Sequence, residues 1–182
     1  RVIANRIAYD IRVPFTDVIL KQVGEPQRGD IVTFSSPADG LRLIKRVIGL
    51  PGDVVEMRDQ KLIINGQAAD YAQIDEPDPS FLTPKREYPN QQLMYTESLG
   101  SLHHNIIVMP ERSALRSFDA VTVPAGHYMM LGDNRDNSND SRFYGFVKRE
   151  LITGRVKRLM FSLDYDNYYL PRIERIGAKL DQ

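Results

Sequence analysis

The sequence predicts a mainly β protein: an antiparallel β-sheet core carrying a β-rich insert, with little helix. Two observations carry this expectation. Short runs of aliphatic and β-branched residues bounded by turn residues recur along all 182 positions, and no segment sustains an apolar repeat of 3.6 residues. A third is local: Asn65-Gly66 follows Lys61-Leu-Ile-Ile64, and an Asn-Gly pair suits the two-residue type I′ turn, which needs positive φ at both central positions.

In chain order, the opening Arg1-Val-Ile-Ala-Asn-Arg-Ile-Ala-Tyr9 is strand-like, and its start without methionine raises the expectation that a segment precedes it. Strands are expected at Asp30–Phe34, Leu41–Ile48, Asp53–Met57 and Lys61–Ile64, with a hairpin at Asn65-Gly66. From Asp70 to Ser101 the chain turns polar, and Pro77, Pro79, Pro84 and Pro89 read as an excursion from the core. Strands return at Asn105–Met109, Ala120–Val123 and Tyr128–Leu131. A polar loop follows, then an apolar strand at Phe143–Val147 and another at Gly154–Phe161, and a weak helical pattern closes the series at Pro171–Gly177. The division expected from this order is a core formed by 1–53 and 125–182, interrupted by an insert at 54–124.

Composition narrows the function classes. Lys plus Arg number 24 and Asp plus Glu 24, so no bulk charge draws the chain to nucleic acid. There is no cysteine, which excludes disulfides, thiolate metal sites and a cysteine nucleophile. Apolar runs such as Asn105–Met109 fall far short of the ~20 residues needed to span a bilayer.

Two features could carry chemistry. One is Gly132-Asp-Asn-Arg-Asp-Asn-Ser-Asn-Asp-Ser-Arg142. Asx and Ser side chains favour turns, so the plain reading is a solvated loop. A calcium loop is disfavoured, because the glycine and glutamate of an EF-hand are misplaced and Arg135 and Arg142 would repel a cation. The other is Lys45, within Leu43-Ile-Lys-Arg-Val-Ile-Gly-Leu-Pro-Gly-Asp53. Such a lysine is ordinarily an outward charge whose stem packs on the sheet. In an apolar site, however, desolvation lowers its pKa, and a neutral amine can take the proton of a serine hydroxyl without any histidine. His103 and His104 are neighbours on a strand and point to opposite faces, while His127 stands alone without a Gly-x-Ser-x-Gly elbow. Neither zinc binding nor a Ser-His-Asp triad is expected, and no cofactor.

Taken in order, Arg28-Gly-Asp-Ile-Val-Thr-Phe34, Ile44-Lys-Arg-Val-Ile-Gly-Leu-Pro-Gly-Asp53 and Gly132–Arg142 with Gly145-Phe-Val147 resemble the signature boxes of the bacterial type I signal peptidases, the Ser/Lys leader peptidases. Tyr9-Asp-Ile-Arg-Val-Pro14 and Arg175-Ile-Gly177 extend the likeness, and the size of the insert resembles Gram-negative members. The resemblance implies a serine endopeptidase that removes signal peptides from exported preproteins after Ala-x-Ala. It implies Lys45 as general base, Ser138 as the hydroxyl that orients its amine, Asp140 and Arg142 as a supporting ion pair, and Gly132 and Arg46 as further supports. Thr33, Leu43 and Ile44 would line the shallow substrate pockets, the strand before Lys45 taking the substrate as an added β-strand. Arg42 departs from the acidic residue the family often carries just before this lysine.

The family's nucleophile lies in a Ser-x-Ser-Met-x-Pro-Thr box that this sequence does not contain. The expectation is therefore a nucleophile upstream of residue 1 and a chain inactive by itself; Ser35 and Ser36 match no such box. The resemblance further implies an upstream anchor in the bacterial plasma membrane, with the catalytic domain on the periplasmic face. Two alternatives stay open: another Ser/Lys peptidase, of the self-cleaving repressor or conjugation type, or a non-catalytic module that captures extended peptides by strand addition.

Overall fold

The structure, a computed structural model, describes residues 2–5, 7–12, 18–77, 82, 91–100, 102–159, 163–164 and 170–171. Along the chain run β1 (Val2–Asn5), β2 (Asp10–Arg12), β3 (Ile19–Gln22), β4 (Ile31–Ser35), β5 (Arg42–Gly49), β6 (Val54–Arg58), β7 (Lys61–Ile64), β8 (Gln67–Ala68) and β9 (Asp70–Ile74). These are followed by β10 (Leu93–Leu99), β11 (Leu102–Val108), β12 (Phe118–Thr122), β13 (His127–Leu131), helix α1 (Ser141–Tyr144), β14 (Val147–Lys148) and β15 (Ile152–Leu159). Short strands β16 (Leu163–Asp164) and β17 (Leu170–Pro171) pair with each other. The architecture is mainly β, and every ladder between named strands is antiparallel.

A six-stranded sheet, in the order β1-β15-β4-β5-β13-β14, forms the main platform. Two further sheets, β12-β6-β7-β8 and β11-β10-β9, come from the residues between β5 and β13. Val32, Phe34, Val47, Tyr128, Met130, Val147 and Ile152 pack in one apolar cluster on the platform. A second cluster joins Ile48, Met129 and Leu131 of the platform to Val55, Met57, Leu62, Ile64 and Leu99 of the smaller sheets. Apolar side chains from both parts thus leave water together, which is the main attraction between them.

Asn65 and Gly66 adopt φ of 52° and 80° between β7 and β8, as the turn chemistry requires. The Asn65 amide also works at long range: Oδ1 accepts the Val54 N–H at 2.8 Å and Nδ2 donates to Asp53 Oδ1 at 2.8 Å.

Two expectations are corrected. The stretch from 70 to 101 is not all excursion, because β9 and β10 lie within it and pair with one another, from Asp70 opposite Ser98 to Ile74 opposite Met94. Pro77 follows β9 and lies outside both strands, where it removes no ladder hydrogen bond. The strand expected at Phe143–Val147 is instead helix α1 followed by the two-residue β14. The buried Asp140 starts the helix by accepting the Arg142 N–H, and Gly145 ends it. The helical pattern from position 172 onward, Val13 and Pro14, and Arg175 to Gly177 lie outside the described residues, as do Pro79, Pro84 and Pro89.

Candidate active site

Strand β5 is paired unequally along its two edges. Its β4 edge is laddered from Arg42 to Arg46, with Thr33 opposite Ile44 and Val32 opposite Lys45. Its other edge meets β13 only from Arg46 to Gly49. From Arg42 to Lys45 that edge has no strand partner among the described residues, and Lys45 sits at the boundary. Because neighbours on a strand alternate faces, Lys45 and Leu43 share one face with Val32 and Phe34, while Ile44 and Thr33 share the other. Ile44 is 42% exposed, whereas Thr33 is buried against Thr153, their hydroxyls 3.0 Å apart.

Beyond Leu131 the chain leaves β5 and is held by β11 instead. Ile107 N donates to Asp133 O at 2.8 Å, and Arg135 N donates to Ile107 O at 2.9 Å. The carboxylates and guanidiniums of the loop pin it further. Arg46 forks onto Asp133, with Nε and Nη2 at 2.9 and 2.8 Å from its two oxygens, and donates to Gly29 O. Asp136 accepts from Met109 N at 2.8 Å and also faces Gln60 and Arg116. Arg135 forks onto Glu97 of β10, both contacts at 2.6 Å. The acidic and basic residues of this loop are therefore largely paired and buried, not a solvated run.

This course returns Gly132 and Ser138 to Lys45. A β-carbon on Gly132 would collide with the Ser138 side chain, lying 2.6 Å from its Cβ, and would stand 3.5 Å from Lys45 Nζ. No side chain larger than hydrogen fits that space. Ser138 Oγ is buried with no hydrogen-bond partner, and it and Lys45 Nζ both lie near the point a Gly132 β-carbon would take, without being bonded to each other. The Asp140 carboxylate, 0% exposed, accepts the Gly132 N–H at 3.0 Å and receives Arg142 Nε and Nη2, each at 2.8 Å. Arg142 also donates to Arg135 O at 2.6 Å, locking the loop across its width.

Burial holds the Lys45 amine below the ordinary lysine range. The Asp140 and Asp133 carboxylates act against this, and Arg142 adds to it. For Asp140 burial acts upward, but the hydrogen bonds and charge of Arg142 prevail and hold the carboxyl below its usual range. A lysine whose pKa is lowered by burial, beside a carboxylate that stays ionised, is suited to take a proton.

The structure thus gathers Lys45, Ser138, Gly132, Asp140, Arg142 and Arg46 into one region and sets Thr33 and Ile44 on the sheet face opposite Leu43. Ser35 ends β4, and Ser36 is buried in the following turn, its Oγ accepting from Ala38 N. Glu97, Tyr71 and His104, which the sequence reading left without roles, meet below the loop. Tyr71 Oη donates to Glu97 at 2.6 Å, and His104 Nε2 lies 3.3 Å from the same carboxylate. A charged residue at an inward position of a strand, between Tyr95 and Leu99, was the available signal. No group of three or more His, Cys, Asp or Glu is arranged to hold a metal ion among the described residues, and no helix there is long and apolar enough to cross a membrane.

Residues 1–161 match the family described as "Signal peptidase, peptidase S26". Signal peptidase I of Pseudomonas fluorescens is 36% identical over 189 residues, and that of Pseudomonas aeruginosa 35% over 190. Each alignment covers 97% of this chain and 64% of the relative, so the chain spans less than two thirds of their length. A crystal structure of a signal peptidase I from Enterococcus faecalis V583 is 34% identical, covering 74% of this chain and 98% of that one, with a TM-score of 0.47. With nearly nine-tenths of its residues inside the family match, the chain belongs to the signal peptidase family, peptidase S26.

Proposed function

We propose that this chain supplies the general base and the substrate-binding edge of a serine endopeptidase that removes signal peptides from exported preproteins. The observation that carries the proposal is the setting of Lys45: its amine is partly buried beside Gly132 and the Ser138 side chain, at the end of the β5 edge that has no strand partner among the described residues. An extended signal peptide adds to that edge from Arg42 to Lys45, its main chain completing the ladder that β13 leaves unfinished. Ile44 borders the bound strand on one face and Leu43 on the other, where small side chains such as those of Ala-x-Ala fit, while Thr33, buried on β4 across the other edge of β5, lies one strand away.

In this reading the neutral Lys45 amine takes the proton from a serine Oγ as that oxygen attacks the scissile carbonyl carbon. The resulting ammonium returns the proton to the leaving amine, and the C–N bond breaks to leave an acyl-enzyme. Water, deprotonated by Lys45, then attacks the ester carbon, the acyl C–Oγ bond breaks to release the carboxyl terminus of the signal peptide, and the serine oxygen recovers the proton from Lys45. The serine belongs to the Ser-x-Ser-Met-x-Pro-Thr box of the family. The Ser138 hydroxyl, near but not bonded to Lys45 Nζ in this structure, is the group that would orient the amine, while Asp140 and Arg142 hold Gly132 in place. The family reading sets the work at the bacterial plasma membrane, with the domain on the periplasmic face.

The test joins a Ser-x-Ser-Met-x-Pro-Thr segment to the N-terminus of this chain and measures cleavage of an Ala-x-Ala signal-peptide substrate, with and without Lys45→Ala. Cleavage that requires Lys45 is the expected result. A folded extended protein that binds the peptide without cutting it favours the strand-capturing module instead.

A further inference from the structure

Why a processing enzyme carries two extra sheets beside its site is answered by one side chain. Glu97, on β10 and 1% exposed, sits where its strand neighbours on the same face are apolar, yet it is an ionised carboxylate with three partners. A continuous run of contacts leads from it to Lys45. Glu97 receives both terminal nitrogens of Arg135 at 2.6 Å. The Arg135 carbonyl accepts Arg142 Nη2 at 2.6 Å. The Arg142 guanidinium holds Asp140, Asp140 accepts the Gly132 N–H, and Gly132 lies against Ser138 and Lys45 Nζ. The same loop is diverted from β5 by its backbone bonds to Ile107 on β11, the neighbour of β10.

We infer that Glu97 is a positioning residue for the Lys45 site: by fixing Arg135 it holds the 132–142 loop in the course that keeps Ser138 against Gly132 and leaves the β5 edge open. A buried ion pair is a poor source of net stability, because desolvation offsets its attraction. What a two-pronged fork supplies is direction, since both guanidinium nitrogens must meet both carboxylate oxygens. The smaller sheets therefore act as the template on which the loop is set. The significance for catalysis rests on Lys45 being the general base, but the positioning itself can be read without turnover.

The experiment titrates Lys45 by NMR in this chain after reductive methylation of its lysines with carbon-13, the signal being assigned with Lys45→Arg. The wild-type amine is expected to titrate below ordinary lysines. Glu97→Gln should move it up by about one pH unit, a roughly tenfold loss of neutral amine at a given pH. Gly66→Ala, which strains a turn remote from the loop, should leave it in place. If Glu97→Gln does not fold, Arg135→Lys, which keeps both charges but cannot form the fork, is expected to give the same upward shift. An unchanged Lys45 titration in these folded variants overturns the positioning role alone, and a wild-type Lys45 that titrates like the other lysines overturns the general-base reading as well.

Discussion

Gly132 lies flush against Ser138, and the space a β-carbon would need is already occupied by the serine side chain, with Lys45 Nζ 3.5 Å from the same point. The φ of Gly132 is not among the positive ones, so the demand is for room and not for backbone freedom. Gly132→Ala must therefore push Ser138 away from Lys45. The expected result is a folded protein, destabilised by about 1–3 kcal/mol as in other overpacked sites, whose extended form loses activity. Combining it with Ser138→Gly should restore stability in urea denaturation without restoring cleavage. Equal stability of Gly132→Ala and wild type would contradict the packing.

Lys45 gives a pH dependence with a definite sign. Burial lowers its folded-state pKa below the ordinary value, so between those two values the unfolded chain holds the extra proton and stability climbs as pH rises. Lys45→Met should flatten that slope and melt higher than wild type at neutral pH, while cleavage by the extended protein falls by about a thousandfold or more. In the unmutated extended protein, kcat/KM should rise with pH along a limb set by Lys45, at lower pH than an unperturbed lysine would give. A limb that persists in Lys45→Ala would remove Lys45 from the role of base.

The parts of this site that were legible in the sequence are those encoded locally. The aliphatic run around Lys45 marks β5, the Asn65-Gly66 pair marks the β7–β8 hairpin, and the Gly132–Arg142 run follows an apolar strand as expected. What escaped is encoded at a distance. In β10, Leu93, Tyr95, Glu97 and Leu99 share a face, and the charge at Glu97 breaks the apolar alternation that identifies a strand. It is tolerated only because Arg135, 38 residues away, neutralises it, and no short-range pattern announces such a partner. Helix α1 was hidden for a related reason. Phe143-Tyr144 reads as apolar strand, yet Phe143 remains exposed and the Asp140 carboxylate organises the turn.

The Asn65-Gly66 turn separates backbone strain from side-chain bonding. An alanine β-carbon at Gly66 meets nothing within 4 Å, so Gly66→Ala costs only the strain of positive φ, about 1–2 kcal/mol. Asn65→Gly keeps the turn permissive but removes the bonds to Val54 N and Asp53, for about 1 kcal/mol each before any relaxation. Urea denaturation should find both variants less stable than wild type, with the slope unchanged. A neutral Asn65→Gly would mean that the two side-chain bonds contribute nothing.

His104 should set the acid limit of the contact between the smaller sheets and the loop. Its ring is 1% exposed, and burial, joined by the charges of Arg46 and Arg135, pushes its pKa down to about 4 in spite of the nearby Glu97 and Asp133. Folding therefore favours the neutral ring. As pH falls from the ordinary histidine range toward 4, the unfolded chain gains a proton that the folded chain refuses, and stability drops across that window. The lowered carboxylates Glu97, Asp133 and Asp140 contribute their losses below it, where they protonate. His104→Phe should remove the slope between pH 6.5 and about 4 while leaving the steeper fall at lower pH. The His104 ring signal, followed by NMR, should titrate near the bottom of that window; titration at the ordinary histidine value would show that the ring reaches water and that the cluster around Glu97 opens.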